Sequence, residues 1–567
     1  MTFEGFENDT WEALPGARRL TIAQREAIES DYPLLCVVAG AGAGKTRVLT
    51  LRVARRVREG TIEADRTLVT TFSRKAAEEL RTRLWSLGVA GVKAGTFHRT
   101  ALGLLREHRE LRNRPAPQLM TDRRRLLADV TSGDARRTRA LDGEIGWAKA
   151  RLVTPDRYEA EARSHRRRSG LRPEQIADAY ARYETERIRR RLLDFDDLIV
   201  ACADALAGDA EFAASIRWRT RHLFVDEMQD VNPAQFRLLT AMLADEPDLF
   251  VVGDPNQSVY GFNGADPTLL ARLPDLLRGT KVIRLDENHR CTPQVVAVAT
   301  AVLREGGSFS GEGEVVAPHT TRVDGPVPQV IAHANDDDEA VWAASRAKLS
   351  RTPGRRWSSI AVLTRTNAQL ATVKAAMDAA LVPSRIAGSD LGPASDLRAD
   401  ADTAANSEGS EASGAGRATD IDSDDFLDDR NKFGDGDDPT ARDHVVLTTF
   451  HRAKGLQWPT VMVLGLGSGL MPIASAQTDA AIDEERRLLY VALTRSEDEL
   501  WCSWFERAGD DPRAPARGPS PWLAPIERTV AQLETEAAPT AASEVSARVA
   551  ELRQRLADGT EGADVTR

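Results

Sequence analysis

LLCVVAGAGAGKTRVL, residues 34–49, runs from an unbroken apolar segment through alternating Gly and Ala into Gly44-Lys45-Thr46 and a helical pattern. An apolar run of this length bounded by a turn reads as a strand buried on both faces of a parallel sheet. The small residues Ala39, Gly40, Ala41, Gly42, Ala43 and Gly44 allow main-chain N–H groups to wrap phosphate oxygens where the next helix begins. Lys45 would reach the β- and γ-phosphates, Thr46 would bind Mg²⁺, and Arg47 continues the nucleotide-binding turn. Ala39 stands where the strict pattern has Gly, but the strand–loop–helix context outweighs that departure.

Working outward, RTLVTTFS, HLFVDE, DLFVVGD, SIAVLTR, HVVLTTFH and PTVMVLGL repeat the buried-strand pattern between helical stretches, so the fold class is α/β with parallel sheets. HLFVDEMQD delivers Asp226 and Glu227 to a strand end, which suits a Mg²⁺ partner and a base that activates water. DLFVVGDPNQSVYGFNGA places Gln257 after another strand, where it could sense a γ-phosphate. Tyr260 and Phe262 follow two apart in a loop of small residues, a setting for stacking on bases.

Charge divides the 567-residue chain, which carries 76 Lys+Arg against 86 Asp+Glu, net −10. An acidic balance alone argues against a phosphate-backbone partner. The deficit is local, however: residues 388–443 hold 16 acidic and 5 basic residues and have the low-complexity composition of a disordered insert. Residues 99–191 hold 24 basic and 14 acidic residues in a helical pattern, with RRR at 123–125, 166–168 and 189–191. Four cysteines lie far apart without CxxC pairing, no apolar run reaches about 18 residues, and the N-terminus lacks a signal-peptide layout. These features predict a soluble, cytoplasmic chain without a disulfide framework, a cysteine zinc site or a membrane span.

Further motifs follow in order: LTIAQ (Gln24), TFSRKAAEEL (Phe72), AGTFH (Thr96, His98), DENHRC (Arg290), IAVLTRTNAQ (Arg365, Asn367), TTFHRAKGLQW (His451, Lys454, Gly455) and EERRLLYVALTRS (Arg487, Tyr490, Arg495). Together they make the chain resemble superfamily 1 DNA helicases of the UvrD/Rep/PcrA type. LGVAGVKAGTFH, IGWAKARLVTP and LLDFDDL are similar to its actinobacterial branch. The resemblance implies two RecA-like domains, the first at 1–98 and 194–283 around a basic helical domain 1B at 99–193. The second would occupy 284–387 and 444–507. The acidic insert at 388–443 replaces the usual domain 2B, and a tail at 508–567 carries one helix, EVSARVAELRQRLADG. Members commonly continue into an HRDC domain, and the tail at 508–567 is expected to be too short to hold one.

On this resemblance the cofactors are ATP and Mg²⁺, and the activity is 3′–5′ unwinding of, or translocation on, DNA in repair or recombination. Gln24 would read adenine, and Arg290 and Arg495 would be arginine fingers on the γ-phosphate. Phe72, Thr96, His98, Tyr260, Phe262, Arg365, Asn367 and His451 would contact DNA, with Gly455 and Gln457 near the nucleotide. The partners would be single-stranded and 3′-tailed duplex DNA and a repair or phage-defence protein. The chain would act near the nucleoid as a monomer or weak dimer. Four positions depart from the family pattern: His289 for Tyr, Gln457 for Glu, Asn263 for Arg and Met228 for an aromatic residue. None removes a residue needed for hydrolysis. The missing 2B and Asn263 keep a second reading open, a DNA-stimulated ATPase switch that does not unwind by itself. The acidic insert is expected to compete with DNA for the basic surface.

Overall fold

The computed structural model describes residues 11–115, 118–120, 122–305, 318–352, 354–387, 443–509, 513 and 515–536. The acidic low-complexity insert, apart from Asp443, and the terminal helix expected from EVSARVAELRQRLADG lie outside them. Two compact units divide the chain between Asn288 and His289.

In the first unit, β1 (Leu34–Ala39), β2 (Thr67–Thr71), β3 (Lys93–Thr96), β4 (His222–Val225), β5 (Asp248–Gly253) and β6 (Lys281–Leu285) form one sheet in the order β3-β2-β4-β5-β1-β6. All five pairings are parallel. The unbroken apolar runs have a direct cause. Leu34 and Cys36 of β1, Leu223 and Val225 of β4, and Leu249 and Val251 of β5 enter one core. The alternate residues Leu35, Val37, Phe224, Phe250 and Val252 enter the other. Side chains alternate across a strand, so with both faces covered no position is left for a polar residue except at the strand ends.

Helices α1 (Ile22–Glu29), α2 (Lys45–Arg58), α3 (Arg74–Ser86) and α4 (Phe97–Leu111) surround the sheet's first strands. The segment expected as one helical domain from residue 99 is divided. Phe97 and Ala101 of α4 belong to the sheet core, whereas α5 (Arg123–Val130), α6 (Ala135–Ala150), α7 (Pro155–Ser164) and α8 (Pro173–Arg189) enclose a separate one. Leu126, Leu141, Ile145, Trp147, Tyr158 and Tyr183 fill that core. Its charge is not all on the surface. Lys149 Nζ lies 2.7 Å from Asp194 and Glu184 and 2.8 Å from Asp197. Arg123, from the first RRR triplet, pairs with Asp142 and Asp196 at 2.6 Å. Arg167, from the second, pairs with Glu144 at 2.8 Å and lies 4.6 Å from the Trp147 ring centre. Asp194 also caps α9 (Phe195–Gly208), whose Ile199, Cys202 and Leu206 enter the sheet core. The ion cluster therefore ties the helical module to the sheet. Helices α10 (Ala210–Arg219) and α11 (Pro233–Met242) complete this side.

The second unit repeats the architecture. Its strands β7 (Gln329–Asn335), β8 (Ile360–Thr364), β9 (Ser384–Ile386), β10 (Val445–Thr449), β11 (Trp458–Val463) and β12 (Ser496–Arg507) pair in parallel in the order β7-β12-β11-β8-β10-β9. Helices α12 (Pro293–Arg304), α13 (Asp336–Ser350), α14 (Asn367–Ala379) and α15 (Asp479–Leu493) flank them. A helix over 523–536, which the Pro/Ala-rich composition of the tail concealed, buries Leu523 and Ile526 after the buried Trp522. No helix among the described residues is long and apolar enough to cross a membrane.

Glu339, in the first turn of α13, is buried, and its Oε1 accepts both the Ser503 hydroxyl at 2.6 Å and the Gly465 N–H at 3.0 Å. Burial pushes this carboxyl up to about 7 from an ordinary value of 4.5. Because the folded value is the higher, the stability from the protonated form is complete at low pH and is lost as pH rises through neutrality. Glu339→Gln keeps an oxygen for both donors and carries no charge. It should stabilise the second unit by about 1–3 kcal/mol near pH 8 and far less near pH 5. Urea unfolding at the two pH values checks this, and an equal effect at both would contradict it.

Candidate functional site

The first site lies at the carboxyl edge of the β1, β4 and β5 strands. Between β1 and α2 the chain turns through Gly42 and Gly44 at φ +72° and +82°, conformations that side chains rarely adopt. Lys45 opens α2 and its Nζ turns back toward the Ala39 and Gly40 carbonyls, at 3.3 and 3.5 Å. Gln24 is buried in a capping box with Thr21, and its Nε2 donates to the Ala43 carbonyl at 2.9 Å. Asn288 Nδ2 donates to the Ala41 carbonyl at 2.8 Å. Two side-chain amides thus hold the outward carbonyls of the loop. Arg47 donates to the Gly16 and Arg19 carbonyls beside a cleft of about 360 Å³ lined by Ala13, Leu14, Pro15, Gly16, Arg19 and Arg47.

Asp226 is buried at the end of β4, accepting the Thr46 hydroxyl and, at 2.9 Å, the Glu227 N–H. Burial and the neighbouring Glu227 charge push it up to about 7, against the pull of Lys45. Glu227 has a left-handed backbone at φ +54°, a strained conformation for a residue with a side chain. Its carboxylate accepts the Gln229 amide. After β5, burial raises Asp254, whose carboxylate accepts Gln257 Nε2 at 2.6 Å. Gln229, Asp254 and Asn288 are the site residues that motif reading missed. The only signal was their place inside quoted motifs, since no local pattern announces a hydrogen bond such as Asn288 to Ala41, across 247 positions.

The DNA candidates of this unit differ in exposure. Phe72 packs edge-on against Phe97 at 6.3 Å, and His98 lies 6.0 Å from Phe195. Thr96 is buried and caps α4 by accepting the Arg99 N–H at 3.2 Å. Tyr260 and Phe262 form a tilted pair 6.1 Å apart, with Phe262 48% exposed.

In the second unit, Arg290 and Arg495 are brought together at the C-terminal end of α15. Arg290 Nη1 is 3.4 Å from the Thr494 carbonyl, while Arg495 donates to Val491 at 2.8 Å and Leu456 at 3.1 Å. His289 Nδ1 meets the Thr321 hydroxyl at 2.8 Å. Arg365 is held by the Glu485 carboxylate at 2.6 Å, and Glu485 also accepts the Ile473 N–H. Burial, then the charges of Arg365 and Lys454, lower His451 to about 3, so its imidazole is neutral. Asn367 is exposed as the first residue of α14, and Gly455 and Gln457 are exposed on the loop before β11.

Residues 20–276 match the family model for the UvrD/REP helicase N-terminal domain, and 283–390 with 430–507 match that for the UvrD-like helicase C-terminal domain. The chain is similar to ATP-dependent DNA helicase UvrD2 of Mycobacterium tuberculosis, 33% identical over 563 residues covering 87% of this chain and 80% of the relative. It is 30% identical to ATP-dependent DNA helicase PcrA of Staphylococcus epidermidis, over 62% of this chain and 48% of the relative. It is also 30% identical to DNA helicase II of Escherichia coli, over 64% and 51% respectively.

The glycine after Ala43 has a checkable energetic role. A Cβ on Gly44 would lie 3.0 Å from Gln24 Nε2 in a left-handed backbone. Gly44→Ala should therefore cost the first unit about 1–2 kcal/mol, measured by denaturant unfolding, and no loss would contradict the strain described.

Proposed function

Because the chain belongs to the UvrD/REP helicase family, and is an ATP-hydrolysing DNA helicase, we propose that it moves 3′ to 5′ along single-stranded DNA and unwinds 3′-tailed duplexes in repair or recombination. The observation that carries the catalytic reading is the meeting of Lys45, Thr46, Asp226, Glu227 and Gln257 at one sheet edge.

Each group has a task that its surroundings suit. The loop N–H groups and Lys45 bind phosphate oxygens. The Thr46 hydroxyl and Asp226 carboxylate, already hydrogen-bonded, make an all-oxygen donor set that fits Mg²⁺. Bound there, the cation would supply the countercharge that the buried Asp226 lacks and would polarise the phosphates. Glu227 orients and deprotonates the attacking water, and Gln257 contacts the γ-phosphate. Arg290 and Arg495 offset charge on the transferring phosphoryl group. Gln24 and Arg47 hold the adenine end, with His289, Gly455 and Gln457 completing the nucleotide contacts. On the DNA side, the exposed Phe262 with Tyr260 gives a stacking platform. Phe72, His98, Arg365, Asn367 and His451 lie along the strand, and Thr96 acts through the helix it caps.

A second reading, an ATPase switch that engages DNA without unwinding it, is favoured by one observation. The C-terminal family match breaks off at residue 390 and resumes at 430, where the acidic insert lies. ATP turnover with and without single-stranded DNA, followed by unwinding of 3′-tailed and 5′-tailed duplexes, separates the readings. We expect strong stimulation and unwinding of the 3′-tailed duplex alone. Stimulation without unwinding leaves the switch, and no stimulation rejects both. Lys45→Ala should abolish turnover, and retained turnover rejects this active site.

A further inference from the structure

We propose that Gln229 is a positioning residue that links the loop bearing Tyr260 and Phe262 to the carboxylate of Glu227, so that DNA on the loop sets the geometry of the attacking water's base. This rests on the roles given above to Glu227 and the aromatic pair.

Gln229 is fully buried, and both ends of its amide are engaged. Nε2 donates to Glu227 Oε2, while Oε1 accepts the main-chain N–H of Asp254 at 2.9 Å. A flipped amide would set its NH₂ against that N–H and its oxygen against the Glu227 carboxylate. Two repulsions would replace two bonds, so the partners determine the orientation. The Gln229 main-chain carbonyl adds a third link, accepting the Ser258 hydroxyl at 3.1 Å. Gly253 makes this approach sterically available, since a Cβ there would lie 2.6 Å from Gln229 Oε1 and 2.9 Å from Leu270 Cδ2.

The loop is braced at its far end as well. Gly264, at φ +91°, lies where a Cβ would be 2.6 Å from the Cβ of Ala150 in α6. Arg151, just beyond α6, is 3.6 Å from Asp266. Between the α6 brace and the Gln229 brace sit Tyr260 and Phe262. A displacement of the aromatic pair is therefore carried to Asp254, then through the amide to Glu227. Glu227 has a left-handed backbone, and the Gln229 amide is a direct hydrogen bond onto its carboxylate. Motif reading gives Gln229 no such task, because its partners lie on two different strands' ends.

The test compares Gln229→Glu, which keeps volume and an acceptor for Asp254, with Gln229→Met, which keeps volume alone. With saturating single-stranded oligonucleotide, kcat should fall at least tenfold in both, while KM for ATP stays within threefold. Turnover without DNA should fall less, so that the stimulation factor drops at least fivefold. Ser258→Ala, which removes the hydroxyl link to the Gln229 carbonyl, should lower stimulation two- to fivefold. Stimulation within twofold of the parent in the Gln229 variants overturns the proposal, as does an equal loss with and without DNA, the signature of a merely structural role. Should both Gln229 variants fail to fold, unchanged stimulation in Ser258→Ala overturns it instead. Glu227→Gln run alongside separates the failures: if it keeps turnover, the reading of Glu227 falls, whatever Gln229 does.

Discussion

Two parallel sheets, each covered on both faces, impose the constraint from which the rest follows. A strand such as Leu34–Ala39 has no solvent face, so its polar neighbours can stand only where it ends. In a parallel sheet all such ends lie along one edge. Asp226 and Asp254 follow strands β4 and β5, and Lys45 follows the loop after β1, so the sheet order gathers them although the chain separates them by about two hundred positions. Burial makes that gathering costly for the carboxylates, and the cost is offset locally by the Thr46 hydroxyl, the Glu227 N–H and the Lys45 charge. A site built this way holds more carboxylate than cationic charge around Asp226, a balance that the cation proposed above would answer.

Basic composition proved a poorer guide to surface than to fold. The triplets at 123–125 and 166–168 each turn one arginine inward, where Arg123 meets three carboxylates and Arg167 meets Glu144 and Trp147. Carboxylates outnumber cations around Lys149. Against burial, which would raise it, Lys149 and Arg123 hold Asp194 low, while burial and the charge of Asp194 raise Asp197. Removing any one partner would strand a charge in the interior, so the cluster is better described as a weld between α5, α6, α8 and α9 than as a gain in net stability. The module's exposed positive charge is correspondingly smaller than its composition suggests.

How far the molecule was legible in its sequence depended on distance along the chain. Strands with both faces buried announced themselves, LLCVVA and IAVLT among them. Gln329–Asn335 and Ser384–Ile386 did not, because they are edge strands whose half-exposed positions mix polar with apolar residues and break the apolar run. Lys93–Thr96 is an edge strand too, and half of it is Gly and Thr. The candidate site divides in the same way. Lys45, Asp226 and Glu227 stand in motifs whose spacing carries their chemistry, whereas Gln229, Asn288 and Glu485 act through partners that only the folded sheet brings near.

Glu485 shows what such hidden partners do. It lies on α15, seven residues before Ala492, and its carboxylate holds Arg365 and the Ile473 N–H. The other end of that helix presents carbonyls of Val491 and Thr494 to Arg495 and Arg290, where guanidinium groups also answer the negative end of the helix dipole. One helix therefore carries the contacts of the two arginines proposed for the γ-phosphate and of the arginine proposed for DNA. A rigid helix cannot move one end without the other. A displacement of α15 would carry its contacts with all three guanidinium groups, so on the roles proposed above that helix would link nucleotide state to DNA grip within this unit.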